Sequence, residues 1–351
     1  MKKILLTMIA LLSITNSLVF AMYGNNNDWI DFLTDGNQFR ARMDQLGFVL
    51  GNDSIKGTVG FRANTGYWGS ILTSSANTKL DATVSAGIGY TSDIIGIGLG
   101  YNYTYSEGYK LDVHTPVLAV NALANNLRIV VPIQVAVKDK LDNTYDNYMG
   151  ISLDPQIRYY TGMDLINQIR LIVKYGMNQT KTASETYTAS SFGFDFRLYF
   201  GASVGNVTLN PFIKVTYDTS LGAKGKSVGS YEVLSDSVVI PTTTGDVLDR
   251  ETYTVAILPT LALEANSDIV SLYLEPGIGY SITDYGMKGS KLEHSLAWSA
   301  YAELYITPVE DLEWYFEMDV NNSNNENTGV PVSFASTTGI TWYLPSFGAA
   351  Q

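Results

Sequence analysis

The sequence predicts an all-β chain folded as a transmembrane antiparallel β-barrel of about fourteen strands, with about sixteen as the nearest alternative. Three observations predict it: period-two alternation in runs long enough to cross a bilayer, a regular succession of short turns and longer loops, and an export leader followed by no second long apolar run.

In a strand successive side chains point to opposite faces, so a strand between lipid and water alternates apolar with polar residues. From Ile95 the chain places Ile95, Ile97, Leu99, Tyr101, Tyr103 and Tyr105 on one face and Gly96, Gly98, Gly100, Asn102, Thr104 and Ser106 on the other. The same division recurs at Leu80 to Tyr90, at Phe192 to Phe200 and at Leu312 to Val320. Such runs fall near residues 55–63, 79–90, 94–106, 109–120, 126–137, 148–160, 166–177, 190–201, 206–217, 252–265, 269–282, 292–306, 312–321 and 331–344. A soluble sandwich also buries one face of each strand, but its strands centre on about five or six residues, and most of these approach the roughly ten that a tilted membrane strand needs.

Connections are brief at 91–93, 121–125, 161–165, 202–205, 266–268 and 307–311. Longer ones intervene near 64–78, 138–147, 178–189, 218–251 and 322–330, with shorter exceptions near 107–108 and 284–289. Outer-membrane barrels alternate short periplasmic turns with longer external loops, which makes the longer set external. Two termini on the periplasmic side require an even strand count, and Asp44 to Leu50 as one further strand would make it odd. Residues 22–50 are therefore read as an N-terminal extension, with Trp29, Phe32 and Leu33 on a short amphipathic helix near the pore or the periplasmic rim. Residues 51–351 are read as the barrel, and Tyr231 to Pro241 as an external hairpin or the pair that would raise the count to sixteen.

Lys2 and Lys3 precede the apolar run Ile4 to Phe20, and Val19-Phe20-Ala21 suits a cleavage site, so residues 1–21 read as a signal peptide. The run is interrupted by Thr7, Ser13, Thr15, Asn16 and Ser17, too often for a spanning helix. The net charge of −12 argues against a nucleic-acid partner, which needs a basic face. Cysteine is absent, which excludes disulfides, cysteine zinc sites, thiol nucleophiles and an acylated N-terminal cysteine. The partners expected from this pattern are outer-membrane lipids.

Gly96-Ile-Gly98-Leu-Gly100 superficially suggests a phosphate loop, but such glycines must turn a strand into a helix, whereas here the alternation runs on into Tyr105. They fit a glycine-lined barrel interior. The two histidines, His114 and His294, form no metal motif. Ser295 follows His294 directly and so points to the opposite face, which does not suit the serine and base of a barrel lipase. No enzyme activity and no cofactor are expected.

The polar face carries a charge pattern. Lys56, Arg62, Arg128, Arg158, Arg170, Lys174, Arg197 and Lys214 mark earlier strands, and Glu264, Glu275, Glu303, Glu313, Glu317 and Asp319 mark later ones. A water-filled lumen with such walls has a transverse field that acts on ions and polar solutes. The competing reading pairs these charges inside a plugged barrel, with Asp81, Asp112, Asp154 and Asp195 partnering the basic strands. Tyr90, Tyr101, Tyr103, Tyr105, Tyr280, Trp314 and Trp342 lie near strand ends, where aromatic rings suit the membrane interface.

The stretch from Met22 through Asn26, Asp28, Trp29 and Arg40 to Asn52, followed by Ile55-Lys-Gly-Thr-Val-Gly-Phe-Arg62, resembles the variable surface proteins of intestinal spirochaetes. That resemblance implies an abundant, antigenically variable outer-membrane surface antigen from a multigene set, without catalytic residues, exposed on the bacterial cell surface. Three roles stay open: a structural surface antigen of the envelope, a porin-like diffusion channel for ions or small polar solutes, and a host adhesin. The corresponding partners are host antibodies or receptors, and the chain itself or related surface proteins in an oligomer.

Overall fold

The computed structural model describes residues 26–42, 45–63, 81–106, 110–140, 146–181, 186–204, 207–226, 232–235, 238–240, 247–322 and 332–344. The expected leader, the loop near 64–78 and most of that near 322–330 lie outside these residues.

Sixteen antiparallel staves form one closed wall. They are β1 (Gln38–Arg42), β2 (Gln45–Gly51), β3 (Ile55–Ala63), β4 (Asp81–Tyr90), β5 (Gly96–Ser106), β6 (Leu111–Ala122) and β7 (Leu127–Lys140). Then come β8 (Asp146–Leu153 and Gln156–Tyr160), β9 (Ile166–Lys181), β10 (Thr186–Phe200 and Ala202–Val204) and β11 (Val207–Leu209 and Phe212–Leu221). The last five are β12 (Tyr253–Thr260 and Leu263–Asn266), β13 (Val270–Asp284), β14 (Glu293–Val309), β15 (Leu312–Asn321) and β16 (Ser333–Leu344). Neighbours in sequence are neighbours in the wall, which closes where β1 pairs with β16, Arg40 opposite Tyr343 and Arg42 opposite Thr341. Closure leaves no bare edge at the seam, the condition for a sheet to stand in hydrocarbon.

Every strand read from the alternation is present, β3 and β15 with the expected bounds. The two further staves are β1 and β2, so the N-terminal extension ends sooner than residue 50. Gln45 opposite Arg62 through Gly51 opposite Lys56 zips β2 to β3, and β1 bridges β2 to β16. The segment 232–240 adds no stave: Glu232–Ser235 and Val238–Ile240 form a separate two-stranded sheet. Two expected loops also shrink. β7 and β8 stay paired out to Lys140 opposite Asp146, and β9 and β10 out to Lys181 opposite Thr186, so the loops near 138–147 and 178–189 reduce to segments 141–145 and 182–185, outside the described residues. Both faces become polar there, which removes the alternation but not the hydrogen-bond ladder.

Proline interrupts the wall where the ladder needs an N–H. β8 breaks at Asp154-Pro155, and the Pro155 carbonyl accepts instead from the Val173 amide at 3.0 Å. Near Pro211, Pro259 and Pro276 the wall carries a cleft of about 390 Å³ lined by Phe200, Ile213, Leu261 and Ile278. Its lining is that of the lipid-facing surface.

The two faces are distinguished by Trp29, whose indole lies against Gly87 and Gly100 from within the wall. Cross-strand partners share a face. Following the register around the ring puts the apolar residues of each alternation outward, with Ile88 and Leu99 each 62% exposed and Ile278 63% exposed. A continuous band of such side chains exceeds the apolar patches that water-surrounded proteins expose and matches a lipid-facing girdle. Tyr90, Tyr101, Tyr280, Trp314 and Trp342 stand outward in it. No described helix is long and apolar enough to cross a membrane.

Inside the wall lies a short 3-10 helix of two turns, Asn26–Asp31. Trp29, Phe32 and Leu33 recur at helical spacing and are essentially fully buried. Glycines on β4 and β5 make the space for them. A Cβ on Gly87 or Gly100 would come within 2.5 or 2.6 Å of the Trp29 ring, and one on Gly89 within 2.4 Å of Leu33. The glycine run that superficially suggests a nucleotide loop is thus a smooth cradle for the N-terminal segment. Trp29 Nε1 donates to Asn102 Oδ1 at 3.1 Å, and Asn37 exchanges two hydrogen bonds with Gly51 at 3.0 and 2.8 Å, so the segment is held along its length.

Candidate functional site

The candidate lumen charges all lie on the inward face by register, and the register aligns part of them into a row. Arg128 stands opposite Arg158, Arg158 opposite Arg170, Arg170 opposite Arg197, and Arg197 opposite Lys214. Five cations therefore occupy directly paired positions across the consecutive staves β7 to β11. Two unit charges about 5 Å apart repel by roughly 3 kcal/mol at an effective dielectric of about 20.

Two carboxylates offset this repulsion. Asp195, one rung away on β10, takes Arg197 in a fork with both contacts at 3.0 Å and lies 3.7 Å from Lys214. Asp31, from the N-terminal segment, accepts from Arg128 Nη1 at 2.5 Å on one oxygen and from Arg158 Nη1 at 3.0 Å on the other. Between them Arg170 donates to the neutral Gln156 Oε1 at 3.3 Å. Lys174 is a looser member, 4.0 Å from Asp218 with both side chains about half exposed.

The acidic wall follows on β12 to β15. Glu264 is opposite Tyr273, Tyr273 opposite Glu303, and Glu303 opposite Glu317. Neutral donors hold most of these carboxylates: Tyr273 reaches Glu275 at 2.6 Å, Tyr301 reaches Glu303 at 2.5 Å, Asn266 reaches Glu264 at 2.7 Å and Tyr343 reaches Glu313 at 3.3 Å. Asn321 donates to Asp319 at 2.8 Å. Glu317 meets a cation directly: Arg42 Nη2 lies 2.7 Å away, both side chains are nearly fully buried, and the guanidinium stacks 3.5 Å over the Tyr315 ring. Lys56 donates to the Asp35 carbonyl, and Arg62 stands in register between Gln45 and Thr83.

Of the proposed acidic partners, Asp195 takes the expected role. Asp112 is on the outward face instead. It stands opposite Tyr105 and accepts from the Tyr103 hydroxyl near the long-loop end, where an outward carboxylate reaches the interface. The inward face of β6 carries Leu111, Val113, Val117 and Ala119, so its apolar residues do not all mark the lipid side. Both histidines are also outward, each with a tyrosine hydroxyl 2.5 Å from Nδ1: Tyr101 for His114 and Tyr280 for His294. Ser295 faces inward, 2.6 Å from Ser281. Among the described residues no group of three or more histidines and carboxylates is arranged to hold a metal ion.

Alternation alone did not single out Asp31, Arg40 and Arg42. Asp31 contributes through a fold-back that no local periodicity records. Arg40 and Arg42 do alternate with Phe39 and Ala41, but over a five-residue strand, half the length expected of a stave.

Two solved structures align with this chain at low similarity. The translocator domain of autotransporter NalP from Neisseria meningitidis is 14% identical with a TM-score of 0.35, covering 90% of this chain and 91% of that one. In-vitro folded OmpT, an outer membrane protein of Vibrio cholerae, is 10% identical with a TM-score of 0.35, covering 88% of this chain and 97% of that one. None of the curated proteins compared with the sequence matches it. The family model described as Serpulina hyodysenteriae variable surface protein matches residues 2–343, nearly the whole chain. A closed barrel with an apolar outer girdle and a sided, charged interior is thus the structure of a member of that family, and the chain belongs to the Serpulina variable surface proteins.

Proposed function

We propose that this surface protein stands in the outer membrane with its long loops outside and that its lumen is a diffusion channel favouring small anionic solutes. The observation that carries the channel reading is the paired row Arg128, Arg158, Arg170, Arg197 and Lys214. A wall built only for stability gains by alternating the sign of facing charges, because like charges directly opposite are destabilising. A continuous cationic track is useful where an anion must be passed from one site to the next, and the acidic wall gives the field across the lumen its direction.

The orientation rests on the connections. The seven connections from 52–54 to 310–311, each of five residues or fewer, share one end of the wall with Gln38 and Leu344, as periplasmic turns do in outer-membrane barrels, and the longest connections leave the opposite end.

Presentation of surface loops is a second role that the same molecule supports. Arg250 donates to both carboxylate oxygens of Asp284 through Nε and Nη2, at 2.6 and 2.8 Å, and reaches the Met287 and Ser290 carbonyls, each at 3.3 Å. Glu251 accepts from Ser220, Ala223 and Lys224. The bases of two external loops are thereby joined into one platform, suited to displaying variable sequence.

Swelling of liposomes that carry the refolded protein tests the channel. Small sugar acids are expected to enter faster than aminosugars of equal size, and Arg170→Gln with Arg197→Gln should erase the difference. Liposomes that stay impermeable to both solutes, with protein shown to be folded, would refute the channel and leave display as the function.

A further inference from the structure

The row of cations has one feature that transport alone does not require: the counter-ion of its first two rungs does not belong to the wall. Asp31 comes from a segment that enters the lumen separately and sets one carboxylate oxygen on Arg128 and the other on Arg158. Arg158 is 3% exposed in this arrangement, Arg128 14% and Asp31 15%. Two guanidinium groups converging on the two oxygens of one small anion are the recognition geometry for a carboxylate or phosphate group.

We propose that Arg128 and Arg158 form a binding site for small oxyanions of the carboxylate and phosphate class, and that Asp31 occupies it as a built-in competitor. The inference deepens the channel reading by placing a specific anion site at the short-turn end of the cationic row. Three observations support it. The site is two-sided and pre-formed, because Arg128 and Arg158 are cross-strand partners on a ladder-bonded wall and Arg128 lies 5.0 Å over the Tyr160 ring. A carboxylate already sits in it. The rest of the segment that delivers this carboxylate is held by apolar packing in the glycine cradle and by the Trp29 to Asn102 hydrogen bond, independent contacts that leave the wall intact when the carboxylate is exchanged.

An arriving oxyanion would therefore take the place of the Asp31 carboxylate without either arginine losing a counter-ion. Binding and displacement are one event, so anion affinity in the intact protein is reduced by the fraction of time Asp31 is seated.

The test measures binding of inorganic phosphate and of acetate to the refolded full-length protein in detergent by calorimetry, with folding checked by circular dichroism and heat-modifiable gel mobility. Asp31→Asn is expected to bind at least one of the two anions tenfold or more tighter than the parent, and Asp31→Asn with Arg158→Gln should lose that gain. Should Asp31→Asn not fold, Trp29→Ala, which loosens the segment and leaves the arginines and Asp31 in place, is expected to raise affinity in the same direction. Equal, weak binding by the parent and by the folded variant would overturn the site. Because the readout needs no transport, impermeable liposomes together with enhanced anion binding would reject the channel and keep the site. Permeable liposomes together with unchanged binding would do the reverse.

Discussion

Replacing Gly100 by alanine should loosen the N-terminal segment while the barrel stays closed. A Cβ at this position would lie 2.6 Å from two atoms of the Trp29 ring and 2.7 Å from a third, well inside contact distance. The β5 backbone cannot retreat, since it is laddered to β4 on one side and β6 on the other, so the indole must move. Overpacking of this kind costs about 1–3 kcal/mol, which lowers the ratio of seated to unseated segment by roughly five- to 150-fold. The ceiling is about 4–6 kcal/mol, the loss of a fully buried tryptophan together with its hydrogen bond. The absence of native cysteines permits a clean assay: Leu33→Cys, 2% exposed when seated, is labelled with a membrane-impermeant maleimide in proteoliposomes with and without Gly100→Ala. Labelling should accelerate with the second substitution. Gly57→Ala serves as the control, because its Cβ meets nothing closer than 3.8 Å. Equal labelling rates with and without Gly100→Ala, or equal acceleration by Gly57→Ala, would refute the cradle.

Other substitutions test the wall and its loops. Leu99→Arg places a charge on the lipid face at mid-strand and should destabilise the folded barrel by about 2–4 kcal/mol, measured by denaturant unfolding in lipid vesicles. Arg42→Ala leaves Glu317 buried without its cation and should cost about 3–5 kcal/mol in the same assay, whereas Arg42→Met combined with Glu317→Leu should be nearly neutral. Burial alone would raise the Glu251 carboxyl, but the Ser220 hydroxyl and the amides of Ala223, Lys224 and Gly222 hold it below the usual carboxylate range. A depressed carboxylate stabilises above its unfolded pKa, near 4.3, and that contribution is lost as pH falls through the lower folded value. Hydrogen-exchange protection at Ala223 and Lys224 should therefore be full at neutral pH and fall only below about pH 4, and Glu251→Gln should flatten the profile.

The wall was legible because lipid on one side imposes the strictest patterning a strand can carry. Leu312 to Asn321 and Ile55 to Ala63 read as staves with the bounds they have. Asp44 to Leu50 reads as a strand, the one that becomes β2, but one strand more would make the count odd; the partner that restores parity, β1, has five residues, and Arg40 and Arg42 leave too short an apolar row to stand out. A hairpin of β1 and β2 adds two staves between β16 and β3 while preserving an even count. The fate of the charges was legible only in part. Period two tells which side of the wall a residue faces wherever lipid enforces it, and fails for Asp112, which lies close enough to the interface to point outward. Which charges become neighbours depends on the stagger between strands, so the alignment of Arg128 with Arg158, Arg170, Arg197 and Lys214 appears only once the registers are known. Asp31 lies further still from sequence reading. Its helix was expected near the pore, but the two arginines that receive it are 97 and 127 residues away.

The reversal potential of single channels in a planar bilayer under a potassium chloride gradient tests the central claim most directly. Correctly folded protein should open in discrete steps with a reversal potential on the chloride side of zero, moved toward the potassium side when Arg170 and Arg197 are both replaced by glutamate. A cation-selective channel, or a chloride preference that survives those replacements, would contradict an interior governed by the cationic row.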